Sequence, residues 1–205
     1  LPADLSATAF EPLLGRKTGH QYSVEHYKDD WLILSNQDAP DFQLFTLPVG
    51  YTDLAKATNL VPPREGIRIE SVLPLQDFLV LFERAAGLDR IHILETATQA
   101  SRILPTDDPV YEISSGHNAE YNVAYLDIEY SSPIRPNRTI RYYLNTGTNE
   151  ILKEQKVPSG HNPEDYIVER VQVPSHDGVA IPMTLVYAKS LSENEPHPAY
   201  VYGYG

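Results

Sequence analysis

Three sets of short apolar segments follow one another through most of the chain at a common interval, and that repetition restricts the fold more than any single motif does. Residues 21–26, 30–35, 42–47 and 59–61 form the first set. The second comprises 67–73, 77–83, 89–95 and 101–104, and the third 110–115, 122–130, 139–144 and 151–157. Each segment is too short for a helix of ordinary length and is bounded by Gly, Pro, Asn or Asp, so each reads as a strand. Aligning the second segments of the three sets places Trp31, Phe78 and Tyr125 at an interval of 47 residues.

That interval suits a four-stranded blade of a β-propeller, whose repeat is about 40 to 50 residues. One twisted meander leaves both faces uncovered, and stacking on neighbours around an axis buries them. Short, evenly spaced strands also suit an antiparallel sandwich, and the matched intervals favour the propeller. Neither residues 5–14 nor 51–60 can hold more than a helical turn.

The apolar runs Trp31-Leu32-Ile33-Leu34 and Phe78-Leu79-Val80-Leu81-Phe82 fall far short of the roughly 18 to 20 residues that cross a bilayer. No membrane association is expected. Residues 1–10 carry neither a basic start nor an apolar signal core, so no export address is expected in them. The formal net charge of -12 opposes non-specific binding to nucleic acid and favours approach by cationic ligands. With no cysteine there is no disulfide, thiolate metal site or cysteine nucleophile. A reducing compartment fits, and the expected location is cytoplasmic. Asn137-Arg138-Thr139 matches a glycosylation acceptor pattern that has meaning only in a secreted chain.

After Val157 the pattern changes. Residues 158–165 are polar and rich in chain-breaking residues, which suits a linker. Two domains are expected, a partial propeller over 1–165 and a second domain beginning at 166–205. Residues 167–173 and 180–188 alternate as strands joined by a turn at Asp177-Gly178. After a polar loop at 190–198, residues 199–202 read as a short buried strand running into Gly203-Tyr204-Gly205.

The run Asp177-Gly178-Val179-Ala180-Ile181-Pro182-Met183, followed by Pro198-Ala199-Tyr200-Val201-Tyr202-Gly203-Tyr204-Gly205, resembles the opening of the catalytic domain of the prolyl oligopeptidase family. Within it, Gly19-His20-Gln21-Tyr22-Ser23-Val24-Glu25-His26, Ser35-Asn36-Gln37-Asp38-Ala39-Pro40-Asp41-Phe42, Pro62-Pro63-Arg64-Glu65 and Arg84-Ala85-Ala86-Gly87-Leu88 are similar to the oligopeptidase B (protease II) group. The resemblance covers nearly the whole chain. It implies a mainly β protein: about three four-stranded blades of a seven-bladed ring, followed by the first strands of an α/β-hydrolase domain.

It also implies a serine oligopeptidase hydrolysing short peptides after Arg or Lys, with the propeller limiting access. A proline-specific oligopeptidase and a non-catalytic interaction module are the alternatives. The expected partners are short cationic peptides and the remainder of the parent polypeptide. The G-x-S-x-G nucleophile elbow does not occur in these 205 residues. The triad Ser, Asp and His are therefore expected elsewhere in the parent, and this piece alone is expected to be inactive. His20, His26, His92, His117, His161, His176 and His197 read as ordinary strand or surface residues. No metal and no cofactor is expected.

Tyr204 is the one residue given a chemical role. The resemblance implies that its phenol donates to the oxyanion of the tetrahedral intermediate, with Tyr202 packing beneath. A reference phenol pKa near ~10 keeps the hydroxyl a donor at neutral pH. An arc of three blades exposes strand edges and apolar faces, so the isolated 205-residue chain should self-associate. Sedimentation combined with calorimetry checks this; a monodisperse monomer with one sharp cooperative melt contradicts it.

Overall fold

The computed structural model describes residues 12–191 and 195–203. The first sheet contains β1 (Tyr22–Tyr27), β2 (Asp30–Ser35), β3 (Gln43–Pro48) and β4 (Thr58–Val61). The second contains β5 (Ile67–Pro74), β6 (Phe78–Ala85), β7 (Leu88–Glu95) and β8 (Ser101–Ile103). The third contains β9 (Glu112–Ser115), β10 (Tyr125–Ser132), β11 (Arg135–Tyr143) and β12 (Asn149–Glu154). In all three, sequential strands are spatial neighbours and pair antiparallel. These are the blades of a partial β-propeller. A separate two-stranded sheet pairs β13 (Tyr166–Pro174) with β14 (Ala180–Ala188). A 3-10 turn at Leu54–Lys56 occupies one stretch where the sequence allowed a turn, capped by Asp53, whose side chain accepts from Ala55 N–H. Much of the other such stretch, 5–14, lies outside the described residues.

Alternation along each strand sends successive side chains to opposite faces. Leu32 and Leu34 of β2 meet Leu79 and Leu81 of β6 between the first and second sheets, together with Ile69 and Leu94. The opposite face of β6 carries Phe78 and Val80, which pack with Leu126 and Ile128 of β10, Ile91, Ile93 and Tyr142. The second sheet is therefore apolar on both faces. Fully burying each such side chain contributes about 1.5–3 kcal/mol relative to exposure.

This packing corrects the alignment of Trp31 with Phe78. Phe78 and Tyr125 lie on equivalent faces of their sheets, because Leu79 and Leu126 both turn back toward the preceding sheet. Trp31 instead lies with Ile33 and Leu47 on the face away from the second sheet. The strands recur as expected, but the first set is out of step by one residue, which reverses the face.

Hydrogen bonds also join the sheets near their ends. Tyr27 Oη donates to the Gln76 carbonyl at 3.1 Å. Gln76 N–H donates to the Tyr121 carbonyl at 3.0 Å, and Ile69 N–H to the Asp41 carbonyl at 3.1 Å. Residues 199–202 do not form the expected buried strand. Tyr200, Val201 and Tyr202 are 90%, 85% and 76% exposed. A strand is held by pairing with a neighbour, and among the described residues the β13–β14 sheet contains only those two strands.

One buried charged group follows the apolar run of β6. The Glu83 side chain is fully buried, its Oε1 2.5 Å from Arg64 Nη2 and 3.0 Å from His92 Nδ1, its Oε2 2.8 Å from Arg90 Nη2. Arg64 comes from the link between β4 and β5, so the cluster ties the crossing between the first two sheets to the body of the second. Burial alone would raise the Glu83 pKa, but hydrogen bonds from His92, Arg64 and Arg90 outweigh it and hold it at about 2.

An unfolded carboxyl titrates near ~4.3, so between that value and about 2 the unfolded state binds more protons and stability rises with pH. The contribution of Glu83 is complete above the unfolded pKa and is lost as the pH falls through about 2. Glu83→Gln leaves two guanidinium groups without their buried partner and should cost roughly 3–5 kcal/mol at pH 7. Its stability should also vary less than wild type between pH 4.5 and pH 2. Urea titrations of the full-length protein across that range check this; parallel stability–pH curves for the two proteins would contradict it.

Candidate functional site

In a four-stranded antiparallel meander, the turns after the second strands and the links leaving the fourth strands fall at the same end. Here that end carries the turns β2–β3, β6–β7 and β10–β11 and the links after β4, β8 and β12. The hairpin β13–β14 docks on this end. His161 Nε2 lies 2.6 Å from the Ile134 carbonyl in the β10–β11 turn, and its ring stacks on Tyr166 at 5.4 Å. Arg170 of β13 donates to the Ala86 carbonyl in the β6–β7 turn. Beside the first anchor, Asp108 is 7% exposed and accepts from Tyr130 Oη at 2.8 Å and from Arg135 Nε at 2.9 Å. Burial and the Asp108 carboxylate push the Tyr130 phenol well above its ordinary pKa, so it remains a hydrogen-bond donor.

The hairpin follows from its sequence. Strands β13 and β14 pair from Tyr166↔Ala188 to Pro174↔Ala180 without a shift in register. Their connection closes with Gly178 at φ +84, a conformation glycine adopts freely. Asp177 Oδ1 accepts from Val179 N–H, and this bond holds the Asp177 carboxyl below the usual carboxylate range. Beyond β14 the chain folds back, and Tyr200, Tyr202 and His197 with Glu169, Met183 and Tyr187 line a groove of about 1150 Å³. A second cleft, of about 780 Å³, lies between the β6–β7 turn and strands β9 and β10 and includes Asp89, Glu112 and Glu129 in its lining.

Tyr204, the expected oxyanion donor, lies outside the described residues. Tyr202, expected to pack beneath the site, is exposed and lines the groove beside Tyr200. Several histidines make local contacts. His20 Nε2 is 2.8 Å from Ser35 Oγ, His26 meets the Trp31 ring edge-on, and His176 Nδ1 is 3.3 Å from Ser175 Oγ. Among the described residues no group of three or more His, Cys, Asp or Glu side chains is placed to hold a metal ion. No helix among them is long and apolar enough to cross a membrane.

Sequence reading missed the anchors Arg170 and His161 and the buried carboxylates Glu83 and Asp108. For Glu83 a signal exists: a carboxylate at the inward parity of a strand, directly opposite Arg90 on the next. For Arg170 there is none, because its partner is a backbone carbonyl 84 residues away.

Over residues 2–155 the chain matches the family model described as prolyl oligopeptidase, N-terminal β-propeller domain. It is 30% identical over 190 residues to Protease 2 of Moraxella lacunata, covering 93% of this chain and 27% of that protein. Identity to dipeptidyl aminopeptidase BI of Pseudoxanthomonas mexicana is 31% over 202 residues, covering 98% of this chain and 28% of that one. Oligopeptidase B from Leishmania major superposes with a TM-score of 0.78 at 26% identity, covering 89% of this chain and 27% of the other. The chain thus spans about a quarter of the length of these relatives. The repeated four-stranded sheets, their apolar interfaces and the match over residues 2–155 together establish that the chain belongs to the prolyl oligopeptidase family of peptidases.

Proposed function

We propose that this chain is part of a serine oligopeptidase that hydrolyses short peptides after Arg or Lys, with the propeller limiting access to the site. In this reading residues 1–165 belong to the propeller and 166–205 begin an α/β-hydrolase domain. The observation that carries it is the succession of stacked sheets, a short connector and a hairpin bearing Asp177-Gly178 and Ile181-Pro182-Met183, in a chain of this family. The formal net charge of -12 supports a cationic substrate by long-range attraction. The cysteine-free composition supports a cytoplasmic setting.

The chemistry is acyl transfer. A serine supplied elsewhere in the parent attacks the scissile carbonyl and passes its proton to a histidine, which hands it to the departing amine; water then hydrolyses the acyl-enzyme. Tyr204 donates its phenolic hydrogen bond to the oxygen that becomes negative in each tetrahedral intermediate. A donor of this kind acts on charge that develops in the transition state, so its loss is felt in turnover.

Two measurements on the full-length protein test the reading. Tyr204→Phe should lower kcat by on the order of 10²- to 10³-fold with a much smaller change in KM, and unchanged kcat removes Tyr204 from the mechanism. Chromogenic peptides ending in Arg or Lys should be turned over faster than the same peptides ending in Pro. Preference for Pro replaces the substrate class with that of a proline-specific enzyme. No turnover of either, with no labelling by a fluorophosphonate, leaves a non-catalytic interaction module.

A further inference from the structure

The β6–β7 turn has an unusual composition for its geometry. Ala85 pairs with Leu88, so only Ala86 and Gly87 make the reversal, with φ of 51° and 77°. A two-residue turn with both φ positive is ordinarily built from Asn-Gly, Asp-Gly or Gly-Gly, because other side chains are strained there. Ala86 carries that strain, and its carbonyl is the one Arg170 binds. A Cβ added at Gly87 would lie 3.1 Å from Arg170 Nη2, so glycine serves both the turn and the approach of the guanidinium.

Arg170 also sits at a parity that matters. Glu169 lines the groove with Tyr200 and Tyr202. Arg170, the next residue of the strand, projects from the opposite face by alternation and reaches the propeller. Contact on one face of the hairpin therefore fixes the position of the groove on the other. His161 anchors the connector to a different turn, at Ile134. One anchor leaves a pivot, whereas two on separate sheets remove rotation about it.

We infer that Arg170 is a positioning residue: by holding the Ala86 carbonyl it seats the β13–β14 hairpin on the propeller and so places the segment that carries Tyr204. The inference rests on the proposed reading of residues 166–205 as the start of the hydrolase domain. The hydrogen bond of Arg170 on this face goes to the Ala86 carbonyl, so no chemical step is assigned to Arg170 itself. It acts through the orientation of the strand that precedes the site, where displacement on the order of 1 Å costs up to ~10²-fold in rate.

The test uses the full-length protein and two readouts: kcat and KM on an Arg-ending chromogenic peptide, and the rate at which a non-specific protease cuts the connector at 157–165. Arg170→Met should lower kcat/KM roughly tenfold or more and speed connector cleavage, while Arg170→Lys, which keeps one donor, restores much of both. Wild-type kinetics and wild-type connector cleavage in Arg170→Met overturn the inference, as does failure of Arg170→Lys to restore either. If wild type turns over no peptide, the proposed function fails separately. Connector cleavage then decides alone: acceleration in Arg170→Met upholds the docking, and an unchanged rate rejects it.

Discussion

Burial of β6 on both sides is the constraint from which the other features follow. Leu79 and Leu81 point into one interface and Phe78 and Val80 into the other, so the second sheet is stable only with a sheet on each face. Once the three sheets stack in sequence order, their turns align at common ends. Backbone hydrogen bonds can then join neighbouring sheets through Gln76, Tyr121, Ile69 and Asp41. The connector and the hairpin in turn each find a fixed carbonyl to dock on, at Ile134 and Ala86 respectively.

Charge is placed where that stacking meets the turns or ends. Glu83 is buried among Arg64, Arg90 and His92 beside the crossing between the first two sheets. Asp108 joins Tyr130 and Arg135 below the connector. On the face of the third sheet turned away from the second, Asp127 makes a two-point ion pair with Arg141 at 2.7 and 2.8 Å, and the guanidinium lies 3.8 Å from the centre of the Tyr125 ring. Hydrogen bonds donated to the Asp127 carboxylate hold the Arg141 pKa above its ordinary value. The face is polar where the two sheet–sheet interfaces are apolar, so the third sheet is built differently on its two sides. All three carboxylates are buried, and Glu83, whose side chain is the most completely enclosed, carries the most charged partners.

Much of the fold was legible because strand periodicity and chain-breaking residues survive in the one-dimensional pattern. All three sets of four strands, the connector and the Asp177-Gly178 hairpin lie where the sequence placed them, within a few residues. Parity in the first set was not legible: Trp31-Leu32-Ile33-Leu34 is apolar at every position, so nothing in the sequence says which side chains face the second sheet. The Ala199-Tyr200-Val201-Tyr202 segment failed for another reason, since a buried strand depends on a pairing neighbour as well as on its own composition. The resemblance proposes Tyr204 for the site, and that residue lies outside the described ones. The contacts that orient the hairpin engage backbone carbonyls distant in sequence, and residue identity carries no trace of them.

Amide hydrogen exchange of the full-length protein, resolved by strand, tests the stacking most directly. Paired strands covered on both faces open only with the whole domain, whereas an exposed edge strand opens locally. The account predicts the slowest exchange in β6 and β7 and much faster exchange in β12, whose residues are all exposed. Exchange in β6 and β7 as fast as in β12 would show that the second sheet is not enclosed between its neighbours.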